Sequence, residues 1–163
     1  MTRRRKQRGS QIVELAVVLP LLLLLVFGAA DGGSMVHVHQ VVNNAAREGA
    51  RIAAIQVVGT ATNRNAVIQK AVNDYMSNNG ILPTSTFTFG QCNSWNQATN
   101  VTVTNNTFQI DDPVQSSGKA TLQTTQVTVT CPYKFFLLSK ISSFGVAPAT
   151  VTLRGSATML NNY

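Results

Sequence analysis

Between Ile12 and Ala30 the chain runs 19 residues with a single charge, Glu14, interrupted only by Pro20 and Gly28. A helix rises about 1.5 Å per residue, so a segment of this length nearly spans the ~30 Å hydrocarbon core of a bilayer. It is read as a membrane helix. Arg3, Arg4, Arg5, Lys6 and Arg8 precede it, whereas the residues after it carry only Asp31, Arg47, Glu48 and Arg51 as far as position 51. That bias places the N-terminus in the cytoplasm and the bulk of the chain outside it. The expected location is the inner membrane, single-pass, with a C-terminal domain that is periplasmic or extracellular.

The N-terminal order has a second property. Gly9 is followed by the small residue Ser10, and Glu14 stands at the fifth position past the glycine, with the apolar helix beyond. This resembles the processing signature of type IV-like prepilins. It implies a cytoplasmic leader over 1–9, cleavage between Gly9 and Ser10 by a prepilin peptidase, and a helix retained over 10–30. A secretory signal peptide cut near Gly28-Ala29-Ala30 is the competing reading, and the mature N-terminus separates the two.

A formal charge of +7 over 163 residues raises the question of a nucleic-acid partner. Five of the 13 basic residues lie in the leader, however, and its loss leaves 8 basic against 6 acidic residues, a net of +2. No nucleic-acid partner is expected from so small a basic footprint. The leader's charge fits anionic cytoplasmic lipid instead.

Downstream, Asp31-Gly32-Gly33-Ser34 marks the bilayer exit, as a hinge or as a weakened helical turn. A stalk helix is expected over 31–59, with Val38, Val42, Ala45, Gly49, Ile52 and Ala53 on one face and Gln40, Asn44, Arg47 and Arg51 on or near the other. The small residues, Ala45, Gly49 and Ala53 among them, allow close backbone approach. That approach serves either packing on the chain's own domain or packing between subunits. A second helix follows from about Asn63 to Asn78, with Val67, Ile68, Ala71, Val72 and Tyr75 apolar, and Asn79-Gly80 closes it.

Past Pro83 the period changes to two. Phe87 and Phe89, Val101 and Val103, and Val127, Val129 and Cys131 alternate with polar residues, as half-buried antiparallel strands do. A last strand is expected from Thr150 to Met159, with Val151, Leu153 and Ala157 on one face. Tyr133 to Phe144 reads as a loop or short helix against the sheet, and Asp111-Asp112-Pro113 as a turn. The expected fold class is α+β: a transmembrane helix continuing into the stalk, a second helix, then an antiparallel sheet, with one exported domain over 60–163.

The order Arg8-Gly9-Ser10 through Glu14, Pro20 in the apolar run, and Ala45-Ala46-Arg47-Glu48-Gly49-Ala50-Arg51 together resemble the TadE-like family of minor pilins. The resemblance covers roughly Gly9 to Ala54, and the Ala45–Arg51 segment is its more discriminating part. Leu15 stands where the family often has an aromatic residue. The family resemblance implies a membrane-anchored minor pilin or pseudopilin of a Tad (tight adherence) pilus, acting in assembly, adhesion or secretion. Its partners would be the prepilin peptidase, the inner membrane and other pilin subunits, in a homo- or hetero-oligomer, with Glu14 acting in assembly. The alternative is a bitopic surface or periplasmic binding module outside any fibre.

Sites of chemistry are scarce. His37 and His39, two apart, point to different sides of a helix and do not form a one-face metal pair. No Cys-x-x-Cys, phosphate loop or Gly-x-Ser-x-Gly elbow occurs. No catalytic or metal-binding residue and no cofactor is therefore assigned. Cys92 and Cys131, the two cysteines, both lie past the export boundary, where oxidation is permitted, and are expected to form a disulfide.

Overall fold

The computed structural model describes residues 6–55, 61–83, 90–111, 119–136 and 150–161. The element order is α1 (Lys6–Ile55), α2 (Ala61–Asn78), α3 (Gln97–Asn100), β1 (Val101–Asp111), β2 (Lys119–Lys134) and β3 (Thr150–Leu160). The fold class is α+β: a long apolar N-terminal helix, two further helices and a three-stranded antiparallel sheet of order β1-β2-β3.

α1 is one helix of 50 residues, so the membrane and stalk segments are continuous. It begins at Lys6, within the stretch read as leader, and it carries Pro20 inside. Gly32 and Gly33 leave it unbroken, because its backbone bonds continue through both and no neighbour presses on either. The two halves of α1 differ in what they touch. From Val38 to Ala53 the helix buries Val38, Val41, Val42, Ala45, Ala46, Ala50 and Ala53 against α2 and the sheet. Gln40, Asn44, Arg47 and Arg51 are exposed.

α2 packs beside α1 through Ile68, Val72 and Met76, all fully buried. This turns the apolar face slightly from the expected one: Val67 is 40% exposed, and Met76 takes the place that sequence periodicity assigned to its neighbours. The helix ends in a Schellman arrangement, with the Gly80 amide donating to the Ser77 carbonyl at 2.9 Å and the Ile81 amide to the Met76 carbonyl at 3.3 Å. Gly80 adopts φ +68° to make this possible, and Ile81 is buried behind it.

In the sheet, register follows from burial. Val127, Val129, Cys131 and Tyr133 of β2 face the helices and are at most 1% exposed, so alternate residues point outward. β1 pairs with β2 through Val101↔Val129 and Val103↔Val127, and β3 through Leu153↔Cys131, Gly155↔Val129 and Ala157↔Val127. The outward face carries Thr102, Thr104, Gln126, Thr128, Ser156 and Thr158. β2 continues to Lys134, which corrects the reading of Tyr133 onward as a loop or short helix. Tyr133 is a core strand residue, held there by a strand pattern that its apolar neighbours Phe135 and Phe136 obscure. The remainder of that stretch, the Phe87–Phe89 strand and the Asp112-Pro113 turn lie outside the described residues. α3, capped by the Asn96 side chain accepting from the Ala98 amide at 3.0 Å, was not anticipated.

β2 runs antiparallel to α1. Tyr133, late in β2, contacts Asp31, while Thr125, early in it, is joined through Arg64 to Ala53. The strands therefore lie along the axis of α1, with β1 and β3 both running away from its apolar end.

Candidate assembly helix and its seat

Residues 11–30 of α1 are all exposed. Large apolar side chains point outward all round it, from Ile12 at 67% exposure through Leu21 at 70% to Phe27 at 41%. Among the described residues this is the one helix long and apolar enough to cross a membrane. One such N-terminal helix suggests a single-pass anchor. Gly9 and Ser10 lie in its first turns, and Glu14, four residues past Ser10, is exposed.

The seat of this helix in the domain begins at Asp31, which is only 4% exposed. Its carboxylate Oδ1 accepts from the Phe136 amide at 3.1 Å, and its backbone carbonyl accepts from the Tyr133 hydroxyl at 3.3 Å. A buried carboxylate needs such donors, because an unpartnered one costs several kcal/mol. Tyr133 itself is 1% exposed and meets Phe135 edge-on at 5.2 Å. Burial pushes the Tyr133 phenol above its ordinary range, the Ser34 hydroxyl hydrogen-bonded to it acts the other way, and the Asp31 charge adds to the rise. The last residues of β2 are thus fastened to the point where α1 leaves the domain.

Nearby, the Cys92–Cys131 disulfide is formed, with the Cα atoms 5.3 Å apart. It ties the segment after Gly90 to the central strand. The Cys92 amide donates to the Ile81 carbonyl at 2.9 Å, and the Asn93 amide to the Pro132 carbonyl. At the far end of the seat, Arg64 Nη2 donates to the Ala53 carbonyl at 2.9 Å, to Thr125 Oγ1 at 2.8 Å and to Asn161 Oδ1 at 3.2 Å. α1 is held at both Asp31 and Ala53, about 33 Å apart along a regular helix.

The Ala45–Arg51 segment lies between these clamps and packs on the chain's own domain. Ala45, Ala46 and Ala50 are fully buried, and a Cβ at Gly49 would stand 2.7 Å from Val72 Cγ2 and 3.1 Å from Val127 Cγ1. Arg51 reaches back to Glu48 through two hydrogen bonds of 2.9 and 2.7 Å on the exposed side, and this holds the Glu48 carboxyl below its ordinary range. His37 and His39 are exposed, and the described residues contain no cluster of three potential metal ligands. Sequence reasoning missed Asp31, Tyr133 and Arg64 as clamps. The one available signal was that Asp31 is the sole formal charge between Glu14 and Arg47.

The family comparison coincides with this helix. Residues 9–51 match the model of the TadE-like protein family. This TadE-like segment begins at Gly9, contains Ser10, Glu14 and the clamp residue Asp31, and stops four residues before α1 ends. The helices and sheet after α1 lie beyond the match, and neither a curated protein nor a solved structure matches the chain.

Proposed function

We propose that this chain is a minor pilin or pseudopilin that is cut between Gly9 and Ser10 by a prepilin peptidase and enters a Tad pilus assembly through α1. The observation that carries the reading is the division of one unbroken helix into an exposed apolar half and a half locked into a domain, within a TadE-like segment. Such a helix transmits the position of its apolar half to the exported domain.

Glu14 sets the register. A carboxylate in an apolar helix costs up to about 2.5–3.5 kcal/mol on insertion scales, less toward the interface, and so requires a partner. Cleavage after Gly9 creates a cationic amino group on Ser10 at nearly the same depth. The Ser10 amino group of a neighbouring subunit pairs with Glu14, and a buried polar pairing of this kind fixes axial alignment between helices. Glu14→Leu is expected to leave cleavage and protein level near normal while removing the chain from sheared filaments and pilus complexes. Co-purification of Glu14→Leu with an intact pilus would refute the pairing role.

A further inference from the structure

Among the described residues the sheet ends in two edge strands, β1 and β3, and Gln69 of α2 caps only the Val101 end of β1. Long exposed edge strands are normally guarded by charges, prolines or bulges. β1 pairs with β2 without a bulge from Val101 to Asp111 and has no charge or proline before Asp111. From Gly155 to Leu160, β3 is equally free of both, its one charge, Arg154, lying just before that stretch. Each edge also shows one large apolar side chain on the outward face, Phe108 on β1 and Leu160 on β3, both 55% exposed.

The hydrogen-bond parity of the two edges is complementary. Gln69 Nε2 donates to the Val101 carbonyl from the free side of β1, so odd-numbered β1 residues turn their amide and carbonyl groups outward. The Asn161 amide donates to the Gln123 carbonyl, so the odd positions of β3 bond to β2 and its even positions turn outward. Because β1 and β3 both run away from the apolar end of α1, copies whose anchors point the same way present these edges to each other in parallel.

We infer that β1 of one copy adds in parallel to β3 of the next, continuing the sheet from subunit to subunit with every α1 on the same side. A closed pair through two β1 edges does not meet these conditions. Antiparallel, it would point the anchors in opposite directions, and parallel, it would put the two α1 helices on opposite faces of the sheet. Only even displacements along the strands keep the outward faces continuous. A displacement of two residues, about 7 Å, sets the next copy nearer the membrane and brings its Phe108 beside Leu160. Asn105 then lies level with Ala157 and exchanges backbone bonds with Ser156 and Thr158, and Thr104 stands beside Ser156. Three strand spacings make a lateral repeat of about 14 Å, and α2, which packs beside α1 on the β1 side of the sheet, then lies between its own α1 and the α1 of the next copy.

This rests on the assembly reading for the common direction of the anchors, but its test is separate. The double variant Thr104→Cys/Ser156→Cys places one thiol on each edge, on exposed positions, while the native cysteines are already bonded. Within one chain the two new thiols are separated by β2 and lie too far apart to join. Oxidation of membranes or sheared filaments should give a ladder of covalent multimers from the double variant, none from either single variant, and loss of the ladder on adding Phe108→Lys. Dimers from Thr104→Cys alone would overturn the inference in favour of a closed pair. A chain present in filaments without a ladder would overturn it while leaving the assembly reading intact. A ladder in membranes from a chain absent from filaments would uphold edge pairing and sink the assembly reading.

Discussion

Gly155 shows how one atom sets the approach of α1 to the sheet. A Cβ there would lie 2.8 Å from the Val42 carbonyl oxygen, 2.8 Å from Asn43 Oδ1 and 2.9 Å from Asn43 Cα. Two of these atoms are helix backbone and cannot rotate away, so Gly155→Ala should destabilise the domain by about 3 kcal/mol, measured as a shift in the urea midpoint. Tyr133 gives a residue-scale prediction in pH. Its phenol titrates above its ordinary value of 10.0 because burial disfavours the anion. A folded-state pKa raised above the unfolded one contributes stability that is whole below about pH 10 and is lost as pH rises through the folded value. Alkaline unfolding should be steep in the wild type and flatter in Tyr133→Phe, and a phenolate absorbance titration should place the ionisation of Tyr133 with the unfolding. An unchanged slope would mean that Tyr133 is not the group responsible.

Among the elements, α1 was legible from Ile12 onward, and whether its Gly-Gly pair breaks it was not. Apolar residues at helical spacing identify a helix from Ile12 onward, yet a Gly-Gly pair reads equally as a hinge or as an ordinary turn. What settles it is the clamp at Asp31, whose partners Tyr133 and Phe136 are more than 100 residues away in sequence. β2 and β3 were legible because a half-buried strand alternates strictly, whereas the end of β2 was not, since Phe135 and Phe136 break the alternation where the chain meets α1. The disulfide reinforces the backbone bridge between the segment after α2 and the central strand. Closing a loop with a sequence separation of 39 stabilises by ~4 kcal/mol in the chain-entropy model. Cys92→Ala/Cys131→Ala should lose about that much in urea unfolding, and thiol labelling of denatured, non-reduced wild type should find no free thiol.

At the scale of the molecule, the chain is a rod seated in a domain, held at Asp31 and again at Ala53, with the strands along its axis. A helix clamped at two points this far apart cannot swivel locally, so a force on the apolar half is delivered to the sheet as a rigid-body displacement. The placement of the cut matters for the same reason. Cleavage after Gly9 removes five basic residues and the first turn of α1 and leaves its apolar half joined to the seat. Cleavage near Asp31 would remove the apolar half and leave the seat. Intact mass of membrane-extracted protein should begin at Ser10, and a mature N-terminus near Asp31 would replace the prepilin reading with a cleaved signal peptide.

What the sequence determined by itself was local and one-dimensional: an apolar stretch long enough to cross a bilayer, basic residues on one side of it, the Gly9-Ser10-Glu14 spacing, helical and strand periodicities, and two cysteines beyond the export boundary. These are legible because each depends on the spacing of residues along a single element and on their transfer energies. The tertiary structure alone decided where Asp31 goes, that Ala45, Gly49 and Ala53 pack on their own domain, how Arg64 joins α1 to the sheet, and which way the strand edges face. Each of those depends on residues distant in the chain meeting in space. Small side chains at helical spacing permit close approach to any neighbour, and only the packed fold names the neighbour.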